Sequence, residues 1–209
     1  MTGYTTKNRL VTILGLVVLL VGCTFWSRID TQNRQATLGL YTVDLPDDWM
    51  RFEPVKDSYP SFRNGASSTV KAQRILITRD GFQLGTIDLV RLPADDAFPS
   101  IGKRISAGML SSELAELYIA NLKTTPKLGT LSVERNAPWN GPEKDGFQLQ
   151  LRVKNEKGME IDYLIYGFGT QDAFYAFSYN APRLHYFQKY RPTFEQVMST
   201  LRLDKSKTS

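Results

Sequence analysis

Alternation of apolar and polar residues dominates the second half of the chain. Phe147, Leu149, Leu151 and Val153 alternate with Gln148, Gln150 and Arg152, and Met159, Ile161, Tyr163 and Ile165 alternate with Glu160 and Asp162. A period of two puts each apolar set on one face of a strand. Asn155 to Gly158 forms the turn between these runs, and Ala173 to Tyr179 supplies a further strand. Consecutive runs with short turns predict an antiparallel meander, apolar on one face. Leu131 and Val133 alternate with Ser132 and Glu134 ahead of a Pro138–Gly146 loop. Nearer the start, Tyr41, Val43 and Leu45 alternate with Thr42 and Asp44 before Pro46 and the turn at Asp47-Asp48 lead to Trp49. Asn64-Gly65 reads as a turn. Asp80-Gly81, between Ile75–Thr78 and Phe82–Leu92, reads as the tip of a β-hairpin.

Two segments change to the helical period. Leu110, Leu114, Leu117 and Tyr118 share one face, with Ser111 or Ser112 as the cap, Glu113 and Glu116 near the positive end of the dipole, and Pro126 as the stop. Phe194, Val197, Met198 and Leu201 follow the i, i+3, i+4, i+7 rule, with Pro192 where that helix would begin. The stretch Pro93 to Gly108, rich in proline and glycine, is a connection with at most a short helical turn. The fold class expected is α+β, an antiparallel β-sheet covered by two main helices, in one domain over residues 38–203 with a polar tail at 204–209.

The first 22 residues have a different logic. Lys7 and Arg9 precede Leu10 to Gly22, an apolar run broken only by Thr12, which is the layout of an export signal. As a helix that run spans about 20 Å, against a hydrocarbon core of about 30 Å. Leu20-Val21-Gly22-Cys23 resembles the lipobox of bacterial lipoproteins. The resemblance implies cleavage between Gly22 and Cys23 and lipid attachment to the Cys23 thiol. Several acyl chains, each buried methylene adding about 0.8 kcal/mol, hold a protein to a membrane effectively for good. Residues 23–37 are then the lipidated N-terminus and a tether. Thr24, where an Asp commonly signals inner-membrane retention, implies the outer membrane, facing the periplasm, if the organism is Gram-negative. The alternative is a single-pass inner-membrane anchor from Leu10 to Trp26, at the lower limit of spanning length.

A second resemblance covers residues 38–203. Tyr41 to Trp49 (YTVDLPDDW) and Phe194 to Leu203 (FEQVMSTLRL) are similar to the two ends of PsbP/DcrB-like domains. The members of that superfamily share no single activity, and the best known bind or support other proteins. The resemblance implies an interaction module and transfers no functional residue.

Charge and composition narrow the function classes. The chain carries 26 basic and 21 acidic residues. Without Lys7 and Arg9 the excess is small and spread out, which argues against nucleic acid as a partner. Cys23 is the one cysteine, so thiolate metal sites and intramolecular disulfides are excluded. His185 is the one histidine and G-x-S-x-G is absent. The pairs Asp47-Asp48 and Asp95-Asp96 sit beside prolines and read as turn residues. Gly102-Lys103 lacks the rest of a phosphate loop. No cofactor is implied and no catalytic constellation is recognisable.

The concentrated signal is aromatic. Tyr166, Tyr175 and Tyr179 are candidates to line a groove for a ligand, and Trp139, in the Pro138–Pro142 loop, is a candidate anchor for a partner. The expected function is a lipid-anchored, non-enzymatic binding or assembly-support module of the cell envelope, acting on an envelope protein or glycan. A carrier of a small apolar ligand or peptide is the first alternative, and an envelope hydrolase using His185 or a carboxylate is the second.

Overall fold

The computed structural model describes residues 26–53, 72–106, 108–125, 128–142 and 144–204. Gly22, Cys23, Asn64-Gly65 and Pro126 lie outside them. In chain order the elements are β1 (Trp26–Arg28), β2 (Gln35–Leu38), β3 (Tyr41–Asp44), β4 (Met50–Phe52), β5 (Gln73–Thr78), β6 (Thr86–Pro93), α1 (Ser111–Lys123), β7 (Thr130–Gly141), β8 (Lys144–Lys154), β9 (Glu160–Gly169), β10 (Ala173–Pro182), α2 (Tyr186–Ser199) and β11 (Arg202–Leu203). Two 3-10 turns, Ala94–Asp96 and Pro99–Ile101, fill the connection after β6.

The strands form an eight-stranded antiparallel sheet, ordered β1-β4-β5-β6-β10-β9-β8-β7, and a three-stranded sheet, ordered β11-β3-β2. The meander expected from alternation is present and extends through β7, β8, β9 and β10, and the Asp80-Gly81 hairpin joins β5 to β6. The α+β class with two main helices holds. Among the described residues no helix is long and apolar enough to cross a membrane.

Several expectations need correction. The segment read as a tether contributes β1 and β2: Trp26, Ser27 and Arg28 pair with Phe52, Arg51 and Met50, and Ile29 and Ala36 are buried. The folded domain therefore starts by residue 26, and strands of three or four residues are too short for alternation to mark them. The Pro138–Gly146 loop is largely strand, because β7 runs to Gly141 and β8 begins at Lys144. Pro138 is accommodated because β7 is an edge strand, where a missing N–H breaks no ladder. The first turn of α1 is closed by the Leu110 N–H donating to Glu113 Oε2 at 2.8 Å, so neither Ser111 nor Ser112 caps it. α2 starts at Tyr186 rather than at Pro192. Pro192 faces solvent, where water can satisfy the carbonyl its ring displaces.

The large sheet is covered on both faces, not one. Tyr175, Phe177, Tyr179, Phe168, Ile77 and Leu89 pack with α2 and the small sheet. On the opposite face Phe147, Leu149, Ile165 and Phe174 pack under α1 and the 3-10 turns. β10 shows why. Its first residues, Ala173-Phe174-Tyr175-Ala176-Phe177, are buried at both parities, as in a strand sandwiched between layers.

An apolar recess between α1 and the sheet

Successive α1-facing residues of β10 change from large to small and then polar: Phe174, Ala176, Ser178 and Asn180. Ala176 lies between Val90 of β6 and Gly167 of β9, Ser178 between Asp88 and Ile165, and Asn180 beside Tyr163. α1 is propped above this row by three rings. Tyr118 stands 5.9 Å, centroid to centroid, from both Phe147 and Phe174. Phe147 has room because it packs on Gly167, where a Cβ would stand 2.4 Å from its Cζ. The helix cannot settle onto the small residues while this trio holds it off.

The result is a cavity of about 200 Å³ between helix and sheet. Tyr118 and Leu122 roof it, Val90, Leu151, Val153 and Ala176 line its floor, and Leu131 closes one side. Apolar cavities of about 150 Å³ stay dry and take up benzene, so the space fits one ring or a short branched chain. Its polar residues are Arg74, Asp88, Tyr118, Asn121, Thr125, Tyr163, Ser178 and Asn180. Arg74 donates from Nε and Nη2 to the two carboxylate oxygens of Asp88, at 2.7 and 2.6 Å, with the side chains 18% and 13% exposed. This fork-to-fork geometry satisfies both charges mutually. Thr125 Oγ1 is buried and, among the described residues, has no hydrogen-bond partner.

Burial pushes the phenol of Tyr118 well above its ordinary pKa, with the neighbouring Asp88 carboxylate and Tyr163 adding to it. Burial raises Tyr163 as well. Both phenols stay neutral through the physiological range. An anionic guest would meet the Asp88 carboxylate and a guanidinium already engaged, so a neutral guest matches the lining.

The aromatic residues singled out from sequence are elsewhere. Tyr166, Tyr175 and Tyr179 are 8%, 1% and 0% exposed, on the α2 side of the sheet. Tyr175 stacks on Phe168, and its hydroxyl oxygen accepts from Arg91 Nε at 3.3 Å. The Tyr179 hydroxyl donates to the Tyr186 carbonyl at 2.8 Å, and Tyr166 accepts from Gln148. These three are core residues, not groove residues. Trp139 is half-buried on edge strand β7, its ring 5.1 Å from that of Tyr166. The rings at the recess are Tyr118, Tyr163 and Phe174, and the readable signal for it was the tapering row on β10.

The remaining chemistry candidates have local explanations. His185 is exposed, at φ 71°, with its ring edge-on to Tyr186. Asp47 pairs with Arg34 at 3.2 Å and Asp48 with Arg28 at 2.7 Å. Asp95 and Asp96 belong to the first 3-10 turn, and Lys103 bridges to the Phe98 backbone. Among the described residues, no three His, Cys, Asp or Glu side chains converge on a metal-sized site.

No family model matches the sequence, and no curated protein matches it significantly. Among solved structures the chain is similar to cyanobacterial PsbP from Synechocystis sp., with TM-score 0.52 and 13% identity over 88% of this chain and 95% of that one. It is also similar to the Ran-binding protein Mog1p of Saccharomyces cerevisiae, with TM-score 0.47 and 10% identity over 86% and 98% of the two chains. A Bacteroides thetaiotaomicron protein gives TM-score 0.44 and 14% identity over 82% of this chain and 48% of that one, so the chain spans about half its length. The domain has the PsbP-like α+β fold, and the Synechocystis structure carries that assignment. At such identity the likeness speaks for the fold alone.

Proposed function

We propose that this chain is a lipid-anchored cell-envelope protein that works by binding rather than by catalysis, with the recess under α1 as the site for a small, uncharged, largely apolar group. The carrying observation is the cavity of about 200 Å³, lined mainly by apolar side chains. A concave, mainly apolar space with a few polar groups is the expected form of a small-molecule site. The envelope location is supported by the Lys7–Gly22 export pattern and the Leu20-Val21-Gly22-Cys23 lipobox. It is the outer membrane, facing the periplasm, in a Gram-negative cell.

Two measurements test the two halves of this reading. Mass spectrometry of the mature N-terminus should find Cys23 first and acylated; a retained Met1 with a free thiol removes the anchor. Titration of the ¹⁵N-labelled protein with toluene, phenol and benzoate should shift amide resonances of α1 and β10, phenol at least as strongly as toluene and benzoate least. Equal or absent shifts for all three would remove the site. Cross-linking in intact membranes addresses the support reading: a reproducible partner whose contact maps to α1 and β10 makes the guest a partner's side chain.

A further inference from the structure

A second apolar feature lies at the opposite end of the domain from β7, where the described chain begins. Trp26 of β1 stacks on Phe52, its cross-strand partner on β4, with ring centroids 5.0 Å apart. Phe82, at the tip of the β5–β6 hairpin, lies 4.8 Å from Trp26. Phe82 is 39% exposed, and Trp26 and Phe52 are half-buried. Three large rings thus share a surface cluster at the point where the polypeptide enters the domain.

The distance to Cys23 decides what this cluster faces. Thr24 and Phe25 alone separate Cys23 from Trp26, and at about 3.6 Å per residue the chain spans no more than roughly 11 Å between them. Acyl chains on the Cys23 sulfur place that residue at the boundary between hydrocarbon and headgroups. The headgroup layer is itself about 5–8 Å deep on each side of a bilayer. The tryptophan is therefore held within reach of the interface that indole rings favour.

We infer that the Trp26–Phe52–Phe82 cluster seats the domain on the bilayer surface, so that the protein is docked in a fixed orientation and does not sway on its lipid. This rests on the lipoprotein reading of Cys23. Charge contributes little to the docking, because the nearby cations Arg28, Arg51 and Lys189, but not the exposed Arg79, are already paired. Arg28 is bonded to Asp48 at 2.7 Å, Arg51 pairs with Glu53, and Lys189 lies 3.1 Å from Asp80. Partition of the rings is the driving term, so docking is insensitive to salt and does not require anionic lipid.

The test uses the full chain, made in a bacterial host that acylates lipoproteins and reconstituted into phosphatidylcholine vesicles with brominated acyl chains. Part of the tryptophan emission is quenched, and Trp26→Phe abolishes the quenchable component while Trp49 and Trp139 still emit. In parallel, a nitroxide on Gln83→Cys, an exposed position beside Phe82, reports oxygen-accessible, interfacial depth, whereas one on Val133→Cys, exposed on edge strand β7, reports water. Phe82→Ser, a surface change, moves the residue-83 label outward. Neither raised salt nor added anionic lipid alters these readings. If Cys23 is acylated yet no quenching is seen and both labels report water, the docking inference falls and the anchor stands. An unmodified Cys23 in the mass spectrum overturns both.

Discussion

Replacing Ala176 with leucine tests whether the space under α1 is a built recess. Ala176 is 5% exposed and lines the cavity floor, with Val90 and Gly167 as its cross-strand neighbours. Leucine adds three carbons, about the volume of three waters at ~30 Å³ each, less than half of the roughly 200 Å³ present. Burying them contributes at most about 2.4 kcal/mol at ~0.8 kcal/mol per methylene. The variant should therefore be neutral to more stable. Ala181→Leu is the matched control on the same strand: Ala181 is 1% exposed, belongs to the buried cluster under α2 and does not line the cavity beside Asp44 and Val197 on that side, so three extra carbons cost about 1–3 kcal/mol by overpacking. Urea unfolding, with the midpoint compared at unchanged m, separates the two outcomes. In a domain of this size each kcal/mol also moves Tm by about 2–4 °C. Leucine at 176 should weaken toluene binding at least tenfold. If Ala176→Leu is destabilised as much as Ala181→Leu, the space does not exist as described and the proposed site goes with it.

Three further outcomes follow from the same geometry. Asp88→Asn leaves Arg74 facing a neutral amide in a mostly buried setting and should cost about 1–3 kcal/mol by urea unfolding, with Arg74→Met in the same chain recovering part of the loss; no change would mean that the pair is in effect solvated. Gly167→Ala drives a Cβ to 2.4 Å from Phe147 Cζ and should lower Tm, whereas the double variant with Phe147→Leu should recover. Tyr118, Tyr163, Tyr166 and Tyr179 all have pKa values raised by burial above the ordinary 10.0. The unfolded chain then loses protons that the folded one keeps, so their contribution is complete below about pH 10 and is lost as the pH climbs toward the folded values. Phenolate absorbance should rise in two stages, the later one coincident with loss of secondary structure.

The parts of the fold that sequence discloses are those where a single face of an element does the packing. β8 alternates cleanly because its Gln148, Gln150 and Arg152 side is only partly covered, and α1 keeps its apolar stripe against the sheet. β1 and β2 escaped notice because three or four residues cannot display a period, and Ile29 and Ala36 are single apolar positions in a polar stretch. Pro192 misplaced the start of α2 because exposure makes its broken hydrogen bond tolerable, and exposure is a tertiary fact. The candidate site fared similarly. Parity does say that Tyr175, Phe177 and Tyr179 share one face of β10, but which face receives a close-fitting cover depends on the small sheet and α2, which are distant in sequence.

The recess itself arises from a mismatch between two local instructions. Tyr118, Phe147 and Phe174 demand a wide gap between helix and sheet at one end, while Ala176, Ser178 and Asn180 supply little to fill it farther along β10. A core selected for stability alone would place a larger residue at 176, because the backbone there is regular strand and the space is available. On the proposed reading, alanine at that position keeps the space open for an occupant. The same reasoning separates the recess from the buried tyrosines on the other face, whose hydroxyls and rings are matched by Arg91, Gln148, Phe168 and the Tyr186 carbonyl, whereas under α1 Thr125 Oγ1 has no hydrogen-bond partner among the described residues.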